Sequence, residues 1–237
     1  MHIAVLGESA PPQMEQLLRD RGYDTVRLHR NPRLPEPVAA HPDLSVFFAP
    51  DAVYTTAQYA VLAEQALAVI CRRVGRPLRT VAKDVGGCYP GDVLLDALPL
   101  GSRLFCLPGA TAQELTGHPA YRVVPVRQGY AKCSALPVGT NALASADPSI
   151  LAAAERDGLE VLRLSPGGIR LDGYNTGFIG GAASFAPYGK PDECFFCGDL
   201  QMHPDGAALR AFLAAHGMTC RGLPGLPLTD IGTVYIV

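Results

Sequence analysis

Tryptophan is absent, and aromatic residues of all kinds make up 7% of the chain. Stacking platforms for bases are therefore scarce, and no basic run compensates. The 20 Lys and Arg residues face 22 Asp and Glu, for a formal net charge of −2. A surface that tracks phosphates needs a basic stripe, so nucleic acid is not an expected partner. No apolar stretch approaches the ~20 residues of a membrane span. The opening "MHIAVLGES" lacks a charged region followed by a long apolar segment, so neither a membrane nor a secretory leader is expected. Several catalytic signatures are missing too. No G-x-G-x-x-G follows the first strand pattern, and no G-x-S-x-G elbow or H-E-x-x-H pair occurs. No cofactor is expected.

What is present points to a globular chain. Charged residues are 18% and apolar ones 48% of 237 residues, enough for one large domain or two small ones. Seven cysteines, an odd number, are scattered along the chain, which favours free thiols in a reducing cytoplasm over a disulfide framework.

A recurring order organises the chain. In "NALASADPSILAAAERDGLEVLRLSPGGIRLDGYNTGFIGG" an apolar strand ends at Asp147-Pro148, a capping acid and a residue suited to the first helical position. The helix carries Ile150, Leu151 and Ala154 on one face and stops at Gly158. A strand, a glycine-rich bend and a last small strand follow. Similar orders run through 1–50, 51–100, 101–140 and 191–237, with 141–190 the unit just described. Helices are predicted near 11–22, 57–74, 110–117, 148–157 and 204–216. A doubly wound α/β sheet also alternates strands and helices, but it does not predict a further strand after each helix–strand step. The expected fold class is therefore α/β, a single domain of five-fold pseudo-symmetric units closing a β/α propeller around a central channel.

That arrangement resembles the pentein superfamily of guanidine-modifying enzymes: arginine deiminases, amidinotransferases and dimethylarginine hydrolases. The chain is identified as a divergent, bacterial-type member. The hydrolases carry a "GGDVL" segment whose acid helps hold the substrate guanidinium; here "PGDVL" puts Asp92 in that place. A family strand ending "VPV" is followed by a catalytic histidine, and in "VPVRQGYAKCSALPVG" Ala131 stands at its position. The family's nucleophilic cysteine lies in the last strand, where "TDIGTVYIV" offers Thr233. Both groups of the family's thiolate chemistry are thus replaced, and standard guanidine hydrolysis is not implied.

The bends "DVGGCY", "RQGYAKC", "LDGYNTG" and "TDIGT" share acids or amides beside glycine, often with tyrosine. They supply the candidate ligand-binding residues Asp84, Tyr89, Asp92, Gln128, Tyr130, Lys132, Asp172, Tyr174, Asn175 and Asp230, suited to a small cationic or zwitterionic metabolite of guanidino or amino-acid type. Turns favour these residues anyway, so mutual satisfaction of strand ends is the competing explanation. If the chain is an enzyme instead, it acts on an amidine or amide C–N bond with a displaced nucleophile, Cys133 or Cys88, or with an activated water. Strand alternation would turn Lys132 and Cys133 to opposite sides, with Lys132 facing the channel. The "CFFC" of Cys194 and Cys197 would likewise diverge on a strand, and no second C-x-x-C completes a zinc set, so no metal is expected.

Overall fold

The computed structural model describes residues 3–189 and 192–237. The chain runs β1 (Ile3–Gly7), α1 (Pro12–Asp20), β2 (Asp24–Leu28), β3 (Val46–Phe48), β4 (Val53–Thr56), α2 (Ala57–Leu62), α3 (Glu64–Val74), β5 (Leu78–Val81), β6 (Leu98–Leu100), β7 (Arg103–Cys106), α4 (Gln113–Thr116) and β8 (Arg122–Pro125). It continues with α5 (Ala131–Ser134), β9 (Ala135–Val138), β10 (Ala142–Ser145), α6 (Pro148–Arg156), β11 (Glu160–Arg163), β12 (Ser184–Phe185), β13 (Glu193–Phe195), α7 (Gly206–Ala215), β14 (Thr219–Arg221) and β15 (Val234–Ile236). The result is mixed α/β, with five small sheets among the described residues in place of one continuous sheet.

Local chemistry accounts for the helices. Asp147 caps α6 through Oδ1, which accepts from Ser149 N at 2.8 Å and Ile150 N at 2.9 Å, and Pro148 opens it. The helix predicted over 57–74 is broken at Ala63, which leaves helical geometry at φ −106°, ψ 23°, and α3 then ends at the left-handed Gly75. The one predicted over 110–117 shrinks to the single turn of α4, because it starts late: Ala110 and Thr111 donate back to Leu107 O in a turn, and Ala112 is extended, its N–H bonded to Leu94 O. Asp205 does not cap α7; its carboxylate accepts from Ser165 N at 2.5 Å, and the helix starts at Gly206.

In each sheet the strand before a helix pairs in parallel with the strand after it: β1 with β2, β4 with β5, β7 with β8, β10 with β11, and β13 with β14. A third strand adds antiparallel to the first of the pair, as β3 does to β4, β6 to β7, β9 to β10 and β15 to β1. These inner strands are buried on both faces, so they read as continuous apolar runs. Period-2 alternation then sends successive residues to different cores. Ile3 and Val5 pack with Val46 and Phe48, while Ala4 and Leu6 pack with Phe195 and Val234. Phe47 and Tyr54 meet Leu104 and Cys106; Phe105 meets Leu143; Ala142 and Ala144 meet Cys194 and Phe196. Each of these apolar clusters joins two sheets, and each sheet contributes to two clusters. Cys194 and Cys197 diverge accordingly, into different cores.

Neighbouring sheets are also clamped at the surface. Arg103 on β7 and Arg122 on β8 both donate to Asp157 at the end of α6, Arg122 at 2.5 Å. The bonds from Arg103 and Arg122 hold the Asp157 carboxyl below its ordinary value. A carboxyl lowered in the folded state adds stability that is complete above its unfolded value, near pH ~4, and is lost as pH falls through the folded value. Asp157→Asn should therefore cost about 1 kcal/mol in urea unfolding at neutral pH, given the partial exposure of the clamp. The gap from the parent should close in strongly acidic buffer; a pH-independent gap would assign the loss to packing instead.

Candidate functional site

The polar residues that the cores reject gather in the segments that lead into the inner strands. His41 and Asp43 precede β3, Asp92 and Asp96 precede β6, and α5 with Lys132 and Cys133 runs directly into β9. Gly180 and Gly181 precede β12, and Asp230 and Thr233 precede β15. His41, Asp43, Asp92, Asp96, Lys132, Cys133, Asp230 and Thr233 are all buried.

Thr233 is the hub. Its Oγ1 donates to Asp43 Oδ2 at 2.7 Å and accepts from Lys132 Nζ at 2.9 Å. Lys132 Nζ also donates to the Gly180 carbonyl at 3.3 Å. Thr233 sits at φ 71°, rare for a β-branched residue and costing roughly 1–3 kcal/mol. Its backbone N–H donates to Gly181 O at 2.9 Å, so side chain and backbone together hold the strained geometry. Gly181 has to lack a side chain: a Cβ there would lie 1.9 Å from Asp230 Oδ1.

Around this hub the acids are in excess. Asp96 Oδ1 accepts the N–H groups of Lys132 at 2.6 Å and Cys133 at 3.2 Å, fixing the turn of α5. Cys133 Sγ donates to Asp43 Oδ2 at 3.0 Å. Asp230 accepts from Phe178 N at 2.9 Å and Gly232 N at 3.0 Å, and its Oδ1 lies 3.8 Å from His41 Nδ1. Yet Asp43 Oδ1, Asp92 Oδ1, Asp96 Oδ2 and His41 Nδ1 are buried without a hydrogen-bond partner. Burial, then the Asp43 charge, pushes Asp96 well above the usual carboxylate range; burial also raises Asp230. Burial pulls the Lys132 ammonium down against the pull of the acids, and burial with the neighbouring carboxylates pushes the Cys133 thiol well up.

A cavity of about 90 Å³ opens onto this cluster, lined by Val38, His41, Tyr130, Cys133, Leu171, Tyr174, Thr176, Phe178 and Asp230. Of the sequence candidates, Tyr130, Tyr174, Asp230 and Cys133 meet here. Asp92 stands behind Tyr130, whose hydroxyl donates to it at 2.5 Å. Tyr89 is half-exposed, with its ring 5.7 Å from that of Tyr130. Four others are engaged elsewhere. Asp84 accepts from Gln58 N, Gln128 donates to the helix-capping Asp147, Asp172 pairs with Arg170 on the surface, and Asn175 is exposed. Cys88 is exposed, away from the cavity lining.

One expectation is corrected. Residues 131–134 form a helical turn, not a strand, so Lys132 and Cys133 both join the buried cluster. Cys133 lines the cavity, while Lys132 lies beneath Thr233. Three residues were missed altogether. Asp96 carried the same signal as Asp92, a lone acid in an apolar run. His41 and Asp43 sit in "HPDLS", whose composition reads as a plain turn, although it stands ahead of β3 as Asp92 stands ahead of β6.

Two outcomes follow from this geometry. Lys132→Met leaves the surrounding carboxylates without their buried cation and should cost roughly 3–5 kcal/mol in chemical denaturation; a loss under ~1 kcal/mol would show that those acids are already neutral. In brief iodoacetamide treatment near neutral pH, mass spectrometry should find Cys88 alkylated and Cys133 untouched. Fast labelling of Cys133 would make it a displaced nucleophile.

Solved structures share this fold. The DDAH of Pseudomonas aeruginosa, a mutant complexed with citrulline, superposes with TM-score 0.53 at 12% identity over 98% of this chain and 95% of that one. A dimethylarginine dimethylaminohydrolase adduct with S-methyl-L-thiocitrulline gives 0.51 at 10% over 90% and 79%. AgrE, in a ternary complex with ornithine and NAD+, gives 0.51 at 12% over 94% of this chain and 32% of that one. At such identities the likeness is one of fold, and it is pentein-like. No curated protein matches the sequence. A family model described as "Family of unknown function (DUF6873)" matches residues 5–235, and the chain belongs to that family.

Proposed function

We propose that the protein binds a small cationic or zwitterionic metabolite, of guanidino or amino-acid type, with its charged head in the cavity beside Asp230. The reading includes a closed ring of five units around an axial channel, supported by the way each apolar cluster joins two sheets and each sheet joins two clusters. The observation that carries it is the excess of buried acid: Asp43, Asp96 and Asp230 surround the single ammonium of Lys132, with carboxylate oxygens left unpaired. A buried carboxyl oxygen without a partner is costly, and a cationic ligand would supply that partner. The rings of Tyr130, Tyr174 and Phe178 line the same cavity and suit a delocalised cation. The cavity accepts a head group and not a whole amino acid, so the rest of the ligand would extend past the half-exposed Tyr174.

Hydrolysis by the family's route is not part of the reading. Ala131 offers no acid–base group, Thr233 is wholly buried under Lys132 and Asp43, and the Cys133 thiol is held protonated. Calorimetry with agmatine and arginine should show binding to the parent protein and none to Asp230→Asn, with no release of ammonia, citrulline or ornithine. Equal binding by parent and variant would remove Asp230 from the site, and turnover abolished by Asp230→Asn would replace a binding protein with an enzyme.

A further inference from the structure

We propose that His41, Asp43 and Cys133 form a binding site for a borderline-soft divalent cation of the zinc or cobalt class. One ring nitrogen of His41, a carboxylate oxygen of Asp43 and the Cys133 sulfur all lie within 4.8 Å of one another, and all three residues are buried. Packing alone does not account for this gathering. His41 Nδ1 and Asp43 Oδ1 are buried without any hydrogen-bond partner, in residues 3% and 0% exposed. Each orphaned group is a metal-ligand type, and the three come from two segments far apart in sequence.

The donor set selects the ion. Nitrogen, oxygen and sulfur donors together suit zinc-class cations, whereas magnesium and calcium take oxygen alone. Three protein ligands leave a fourth tetrahedral position free. His41 and Cys133 line the cavity, so that position would face the space assigned above to the organic head group. Surrounding contacts orient the set. Thr233 donates to Asp43, the Cys133 N–H is held by Asp96, and Asp230 lies beside the His41 ring.

Binding exchanges one cation for another. The Cys133 S–H bond, whose hydrogen now points to Asp43, breaks; a sulfur–metal bond forms, and the proton leaves to solvent. Lys132 does not occupy the site, because its ammonium is engaged by Thr233 and the Gly180 carbonyl. Asp230 is not one of the three ligands, so a metal held by them leaves that carboxylate to the organic head group. The proposal shares the cavity and Asp43 with the functional reading, and is carried in addition by the unpaired His41 Nδ1 and by the Cys133 sulfur.

The test is a Co²⁺ titration of the chelator-stripped full chain. One equivalent should bind, with a near-ultraviolet sulfur-to-cobalt band, the intense visible absorption of a tetrahedral ion, and a raised melting temperature. X-ray absorption of the same sample should show one sulfur among nitrogen and oxygen neighbours. Cys133→Ser should abolish the sulfur band, and Asp43→Asn should weaken binding at least tenfold. Cys88→Ser and Cys220→Ser, which alter thiols outside the site, should leave both unchanged. No tight cobalt binding by the parent, no sulfur in its coordination shell, or a sulfur band surviving in Cys133→Ser would each overturn the proposal. The absorption measurement needs no variant, so a variant that fails to fold does not shield it. Agmatine calorimetry on the stripped protein separates the two readings: agmatine binding without a cobalt site leaves the ligand reading alone standing, and the converse leaves only the metal.

Discussion

An imbalance of buried charge governs the centre of this molecule. Lys132 is buried among Asp43, Asp96 and Asp230, and burial weakens its charge while strengthening every carboxylate's demand for it. The unusual features nearby all serve that imbalance. Thr233 is held in a left-handed backbone conformation so that one hydroxyl can bridge Lys132 and Asp43. Gly181 has no side chain so that Asp230 can approach. The α5 turn places two consecutive N–H groups on Asp96. Among the described residues Thr233 is the only non-glycine residue with positive φ, and it lies at this centre; the cores elsewhere are aliphatic and aromatic packing.

The fold makes such a centre possible by using up both faces of its inner strands. With alternate residues of β1, β7 and β10 committed to different cores, these inner strands have no face left for a cluster of polar groups. Polar chemistry is confined to strand approaches, where a short turn can aim a side chain inward. That division explains why the buried polar residues cluster in short helical turns and bends just ahead of the inner strands.

The same division explains what could be read in advance. Helices announced by a cap and a stop, such as α6 with Asp147 and Gly158, stand out because their signals are local. The inner strands stand out as apolar runs bounded by turns. The α5 turn spans only Ala131–Ser134 and has no period to detect, so the strand expected there misplaced Lys132 and Cys133. Composition of the bends located Asp92, Tyr130 and Asp230, but it could not say which bend residues point inward. Asp172 and Asn175 share the flavour and face solvent. His41 and Asp43 carry no compositional mark, and only their position ahead of β3, matching that of Asp92 ahead of β6, relates them to the rest.

The pairing of β15 with β1 also governs when the molecule can become itself during synthesis. Ala4 lies opposite Ile236 and Val5 opposite Tyr235, so the sheet holding the first strand lacks its antiparallel neighbour until more than two hundred further residues have been made. Thr233, which bridges Lys132 and Asp43, arrives in the same final stretch. Until then the nascent chain lacks the hydroxyl that bridges Lys132 and Asp43, and it keeps a half-covered apolar β1. Contacts of such sequence separation make for slow, late consolidation. The sheet of β1 depends on β15 to cover its antiparallel edge, and an intermediate lacking that strand is the species most exposed to aggregation and to chaperone capture.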